Sequence, residues 1–474
     1  MAMALTSLPT LRNRLSLLKS LFFWLICSSV AISRGVEEAG TPQYHVVNVS
    51  SLIPKPYCTG HSKGSSSLGS QKLVVVSKNG PCSTSSHTKQ ISAYVEALMG
   101  DEARVQSLNS NKVSNLYSKD AASDTFHGGE YLTTIGLGTP KVDHQMIMDT
   151  GSDYTWVHCQ SCSEGCRLDD PQFDPSKSST YSNGSCKMFS GNDPFKITYY
   201  KGTNSTKHWG CDKLSLEPSD VFENFQFGCG FNNGGDYYFG NELGVLGLGR
   251  GDLSLVSQTA SKFHYTFSYC LPKTSSSEGY LQFGDRARSA TSSFGLQYTS
   301  LIKQPSQSIP SFYFQNSLHY VQLLGISVAG IRLNVPSTVF TSKGTVIDSR
   351  TVITYLPESV YNALRTAFNL SMAQYPPATP THKNLDTCYN VKGFATIRLP
   401  HIVFHFGSGT DVSLNPSGIV YISQNNTDVW CLGFAANKNS GDLTIIGNNQ
   451  QRELYILYDI GARRIGFGKT PCGS

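Results

Sequence analysis

Two aspartates sit in matching surroundings. Asp149 closes the apolar run Met146-Ile147-Met148 and is followed by Thr150, Gly151 and Ser152. Asp348 closes Thr345-Val346-Ile347 and is followed by Ser349, Arg350 and Thr351. A second near-repeat follows each one: Gly244-Val245-Leu246-Gly247-Leu248-Gly249 and Thr444-Ile445-Ile446-Gly447-Asn448-Asn449. Asp149 precedes Gly247 by 98 positions and Asp348 precedes Gly447 by 99, so the halves are displaced by 199 residues at the aspartate and 200 at the glycine. One short match arises by chance. Two in register imply a doubled molecule in which each half carries one Asp at a strand-to-loop turn.

If an approximate two-fold axis relates the halves, equivalent loops meet at it. Two carboxylates that close cannot both ionise easily, so they share a proton and their titrations split. Such a pair supplies a base and an acid together. The ionised member takes a proton from a water that attacks an amide carbonyl, and the protonated member hydrogen-bonds the developing oxyanion. This chemistry needs no metal and no cofactor, and none is expected. Thr150 and Ser349 are placed to brace the two loops, Ser152 and Thr351 to orient the outer carboxylate oxygens, with Gly151 in the same turn. An isolated Asp-Thr or Asp-Ser is commonly a turn residue; the pairing carries the reading.

The elements that must position these loops are short strands. Tyr131, Thr133, Ile135 and Leu137 alternate before a Gly-Thr-Pro turn, and similar strands with glycine turns continue to the end of the chain. A helix is expected from Pro357, with Val360, Leu364 and Phe368 on one face. Only 15% of residues are charged, and Gly numbers 43. That composition fits a turn-rich β protein and excludes a long helical bundle or coiled coil.

The amino-terminal part differs. Arg12, Arg14 and Lys19 precede an apolar run from Leu21 to Ile32, and Ser29, Ala31 and Ser33 place small residues at its end where a signal peptidase cuts, so residues 1–33 read as a secretory signal. The run is too short to span a bilayer, and no membrane anchor is expected in the mature form. Residues 34–123 hold a Ser/Gly-rich stretch, then Gln90 to Leu98 with apolar residues at helical spacing, then a polar tract, a pattern that fits a prosegment and equally a small accessory domain or a disordered linker. Thirteen cysteines fit an oxidising compartment. Cys159, Cys162 and Cys166 have a spacing that zinc sites also use, but no second ligand pair follows, so disulfides are expected. Sequons at Asn48, Asn183, Asn204, Asn369 and Asn425 are candidate glycan sites. The net charge of +5 comes from 38 basic and 33 acidic residues. The basic residues do not cluster with stacking aromatics, so nucleic acid is not an expected partner.

The chain resembles the pepsin-like aspartic proteases, and more closely their nepenthesin-type plant subgroup. The resemblance rests on Tyr131 to Pro140, Asp149-Thr150-Gly151-Ser152-Asp153 with Trp156, the cysteines from Cys159, Phe173 to Tyr181, Phe227-Gly228-Cys229-Gly230, Gly244 to Gly249, Asp348 and Ile445 to Asn448. It covers 126–474, and Gly80-Pro81-Cys82 resembles the family's prosegment. It implies an all-β, bilobal fold of two pseudo-symmetric lobes around a central cleft, with a few short helices. The N-terminal lobe would span 124–300 and the C-terminal lobe 301–474. It implies Asp149 and Asp348 as the catalytic pair, and Tyr199 as the flap tyrosine that closes over substrate. The expected activity is that of a secreted, monomeric endopeptidase made as a zymogen and acting on peptide or unfolded protein.

Three departures stand out. Arg350 occupies the place where the family has Gly in the second motif. Forcing a side chain into a glycine conformation costs about 1–3 kcal/mol, and an inward guanidinium lowers a neighbouring carboxyl pKa by roughly 1–3 units. The flap tip reads Tyr200-Lys201-Gly202-Thr203. The cysteine-rich insert is short, which leaves Cys186 and Cys211 unassigned. The alternative expectation is therefore a weak or inactive relative that binds a peptide or protein through the cleft.

Overall fold

The computed structural model describes residues 42–60, 72–83, 93–109, 131–159, 172–184, 195–198, 204–230, 244–289, 294–304, 317–341, 343–380, 382–423, 426–469 and 472. The expected architecture is the one adopted: a β protein of two lobes with few helices. In chain order the first half contains β1 (Tyr44–Asn48), β2 (Leu73–Ser77), α1 (Ala93–Asn109), β3 (Tyr131–Leu137), β4 (Val142–Asp149), β5 (Trp156–His158), β6 (Asn204–Glu217), β7 (Asp220–Gly230), β8 (Gly244–Gly247), β9 (Thr266–Cys270) and β10 (Glu278–Phe283). The second half contains β11 (Thr345–Ile347), β12 (Thr354–Leu356), α2 (Glu358–Met372), β13 (Thr396–Pro400), β14 (Ile402–Phe406), β15 (Phe434–Ala436), β16 (Thr444–Ile446), β17 (Leu454–Asp459) and β18 (Arg464–Lys469).

The doubling seen in the sequence is a doubling of sheet topology. β4 lies parallel to β8, with Asp149 opposite Gly247, and β8 meets β5 antiparallel at Val245 and Trp156. β11 lies parallel to β16, with Ile347 opposite Ile446, and β16 meets β12 antiparallel at Ile445 and Tyr355. β5 then runs parallel to β7, and β12 parallel to β15. Even the hydroxyl supports correspond: Thr155 Oγ1 accepts from Gly247 N–H and Thr354 Oγ1 from Gly447 N–H, both at 3.1 Å. The glycines are required by this packing. A Cβ on Gly247 would lie 2.5 Å from Asp153 backbone, and one on Gly447 2.5 Å from the Ile353 carbonyl.

These strands are buried on both faces, which explains their unbroken apolar character. Met146, Met148 and Leu246 lie in the same core cluster as Ile347 and Ile446. α2 starts after Pro357 and buries Val360, Tyr361, Leu364, Phe368 and Met372. At about 1.5–3 kcal/mol per fully buried large apolar side chain, that stripe holds the helix on the C-terminal lobe. Cys388 pairs with Cys431, Cys270 with Cys472 and Cys58 with Cys82.

The amino-terminal segment is woven into both lobes. β2 fills the gap between β10 and β3, antiparallel to each. β1 lies antiparallel to β13. α1 is longer than the apolar spacing through Leu98 indicates. Its Leu98 and Val105 share a core cluster with Val346, Val352 and Ile445 of the C-terminal lobe. Its end is held by Asn109, whose Oδ1 accepts from Leu443 N–H at 2.7 Å and whose carbonyl accepts from Lys343 Nζ at 3.3 Å. Among the described residues, no helix is long and apolar enough to cross a membrane.

Candidate active site

β4 and β11 end side by side at the seam between the lobes, so Asp149 and Asp348 reach one place. Both are fully buried. A single guanidinium touches both. Arg104, from α1, donates through Nη2 to Asp149 Oδ1 at 2.9 Å and to Asp348 Oδ1 at 3.3 Å, and through Nε to Asp348 Oδ2 at 3.2 Å. Arg104 is itself only 3% exposed. Two residues earlier in the helix, Glu102 pairs with Lys383 at 2.8 Å. Next to it, Asp101 accepts from the backbone N–H groups of Val352 and Ile353 at 2.6 and 2.9 Å. The turn of α1 from Asp101 to Arg104 therefore occupies the space in front of both aspartates.

The two loops hold each other. Thr150 N–H donates to Ser349 Oγ at 3.0 Å, and Ser349 N–H donates to Thr150 Oγ1 at 2.9 Å. Each hydroxyl in turn donates to the strand across the seam, Ser349 Oγ to the Met148 carbonyl and Thr150 Oγ1 to that of Ile347. Behind Asp348, Gln451 Nε2 donates to its carbonyl at 3.1 Å and Tyr269 donates to Gln451 Oε1 at 2.5 Å. Asn448 Nδ2 donates to the Ser349 carbonyl at 3.0 Å.

The outer oxygens are treated unequally. Thr351 donates to Asp348 Oδ2 through Oγ1 at 2.6 Å. Ser152 is used differently from the expectation: its Oγ accepts from Tyr154 N–H at 3.2 Å. Asp149 Oδ2 faces Arg350 Nη1 at 3.3 Å instead. Arg350 is 2% exposed and points inward. It is not among the residues with positive φ, so the backbone tolerates a side chain there and the expected strain is absent. The departure from glycine is electrostatic. Gly151 is where bulk is excluded: a Cβ would lie 2.5 Å from Arg104 Nη2 and 2.7 Å from Asp348 Oδ1.

Two carboxylates and two guanidiniums thus share one buried site. Burial pushes the Asp149 carboxyl above its ordinary range; Arg104 and Arg350 pull it back, while the Asp348 charge adds to the rise. Burial also works to raise Asp348, but the charge and hydrogen bond of Arg104, the Thr351 hydroxyl and Arg350 outweigh it and hold that carboxyl below its ordinary range. The pair is therefore split, with Asp348 the ionised member beneath Arg104.

Cys159 is bridged to Cys229, which anchors the strand that follows the Asp149 loop and removes it from the zinc alternative. Cys211 is also disulfide-bonded. Tyr199, Tyr200 to Thr203, Cys162, Cys166 and Cys186 lie outside the described residues, as does 1–41. Sequence reasoning misses Arg104. Its signal is a basic residue inside a segment continuing the apolar spacing of Ala97 and Leu98, but nothing local tells a buried cation from a solvated one.

Two family models match: Xylanase inhibitor N-terminal over residues 131–285 and Xylanase inhibitor C-terminal over 318–469. The chain is 36% identical to Aspartyl protease AED1 of Arabidopsis thaliana, covering 98% of this chain and 99% of that one. It is 34% identical to Aspartic proteinase nepenthesin-1 of Nepenthes gracilis, over 73% and 79% of the two chains. Among solved structures, the basic 7S globulin from soybean superposes with a TM-score of 0.55 at 19% identity, covering 75% of this chain and 96% of the globulin.

Proposed function

The chain belongs to the plant pepsin-like aspartic proteases of the nepenthesin type, and from that premise we propose that it is an endopeptidase made in a latent form, with Asp149 and Asp348 as its catalytic pair and Arg104 as the plug that keeps it silent. One observation carries the reading: a buried guanidinium bridges both carboxylates from a segment that precedes the lobes. In the open form, loss of Arg104 leaves a carboxylate and a carboxylic acid on either side of a water. The carboxylate takes the water proton as oxygen attacks the scissile amide, the acid stabilises the oxyanion, and a proton passes to the leaving nitrogen. Thr150, Gly151, Ser152, Ser349 and Thr351 hold the two loops, and Tyr199 is the proposed flap residue over a peptide or unfolded protein chain. Residues 1–33 serve as the signal and 34–123 as the prosegment. The disulfides support passage through an oxidising compartment, hence secretion.

The experiment is direct. Purified full-length protein should be silent at neutral pH, and after incubation in acid it should cleave an unfolded protein and be blocked by a statine-type peptide. Cleavage should vanish in Asp348→Asn. A folded protein that stays silent at every acid pH overturns the reading.

A specific observation favours a second reading. Arg350 stays beside Asp149 after Arg104 leaves, so the open pair retains a fixed cation that opposes the shared proton. The alternative is a weak or inactive relative that retains the cleft for binding a peptide or protein. Tight binding of a statine-type peptide without turnover identifies it.

A further inference from the structure

β1 is fastened to the C-terminal lobe by more than its ladder. It pairs residue by residue with β13, from Tyr44 opposite Pro400 to Asn48 opposite Thr396. Just beyond the ladder, His401 N–H donates to the Gln43 carbonyl at 3.0 Å, and Gln43 N–H donates to the Ala329 carbonyl at 3.1 Å. This folds His401 under His45, and the two imidazole rings stack with centroids 3.9 Å apart and planes tilted by 34°. His45 Nε2 is buried without a hydrogen-bond partner.

The charged groups around the pair are cationic. Lys469, at the end of β18, acts on both rings, and Arg398 of β13 lies 4.6 Å over the neighbouring Tyr44 ring. Backbone hydrogen bonds at Leu414 and Tyr44 partly favour the charged rings and do not offset the rest. A proton on either imidazole therefore places a charge in a half-buried stack, against a second imidazole and a lysine. The stack is at home only when both rings are neutral.

We propose that His45 and His401 form an acid-sensitive latch that holds the amino-terminal strand on the C-terminal lobe at neutral pH and releases it in acid. The latch acts on the strand whether or not the aspartates turn over substrate. Its consequence for latency does rest on the function proposed above. The Cys58–Cys82 bridge ties the chain after β1 to the turn after β2, and α1 follows, so freeing β1 loosens the first of the fastenings upstream of Arg104.

The direction follows from linkage. Burial first, then His401 and Lys469, lower His45 from 6.5 to about 4 in the docked strand, and burial lowers His401 as well. The docked form binds fewer protons. Its docking is complete above the ordinary histidine pKa and is lost as pH falls from about 6.5 toward 4. For His45 alone, docking weakens about 30-fold between pH 7.5 and pH 5.

Hydrogen exchange by mass spectrometry on the full-length protein tests this, with rates corrected for the intrinsic pH dependence. Protection of the segment containing residues 44–48 should fall about 30-fold from pH 7.5 to pH 5, while β17 keeps its protection and reports an intact fold. In His45→Phe, which keeps an aromatic stack and removes the proton site, most of that fall should disappear, and His45→Phe/His401→Phe should abolish it. Equal wild-type protection at the two pH values overturns the proposal even if the variants do not fold. So does a fall that persists in the double variant. Because the readout is exchange and not cleavage, it succeeds or fails independently of peptidase activity.

Discussion

Thr150 and Ser349 exchange hydrogen bonds across the lobe seam, each giving its backbone N–H to the other's hydroxyl at 3.0 and 2.9 Å. All four groups are buried, so the exchange fixes both aspartate loops to one another and not merely each to its own lobe. Ser349→Ala leaves the Thr150 N–H and the Met148 carbonyl without these partners. The expected loss is about 1–3 kcal/mol for each buried group left unsatisfied, seen as a lower urea midpoint. An unchanged midpoint would mean that the seam is held elsewhere.

Arg104→Gln removes the cation that Asp149 and Asp348 share. Asp348 is held below its ordinary carboxyl range while α1 is docked. Docking therefore draws stability from that ion pair above the ordinary carboxylate pKa, and loses it as pH falls through the lowered value. In the variant, a statine-type peptide should bind the full chain at least tenfold more tightly at pH 7. Equal affinity in wild type and variant would show that Arg104 does not keep the cleft closed.

Arg350→Gly tests the cation that remains. Its guanidinium lies 3.3 Å from Asp149 and favours the ionised form of the pair. Without it the shared proton is retained to higher pH. The high-pH limb of the activity profile should move up by about one unit or more, and turnover should rise near neutrality. A superimposable profile would rule out an electrostatic role for Arg350.

Gly151→Ala places a methyl group 2.5 Å from Arg104 and 2.7 Å from Asp348. Both contacted atoms belong to buried side chains held by hydrogen bonds, so the guanidinium or the aspartate loop must shift, and an unchanged urea midpoint shows that the fold survives the shift. If Arg104 is the plug and Asp149 and Asp348 the catalytic pair, both should suffer: latency at pH 7 weakens and acid turnover drops by at least tenfold. Retention of full latency and activity would show that the loops shift to make room.

The sequence by itself determined the doubled framework. Strand alternation around Tyr131 to Leu137, the stripe Val360, Leu364 and Phe368, and the matched spacing from each aspartate to its glycine are local or periodic features. Each follows from which residues tolerate burial or a tight turn, and each was legible without coordinates. Only the tertiary structure decided that Arg104 meets Asp348 across 244 positions, that Arg350 turns inward, that Ser152 serves Tyr154, and that His45 stacks on His401. A polar residue in a helix or loop looks the same in sequence whether it faces water or a buried partner. Its partner is chosen by how the sheets close on each other, and that closure is a property of the whole chain.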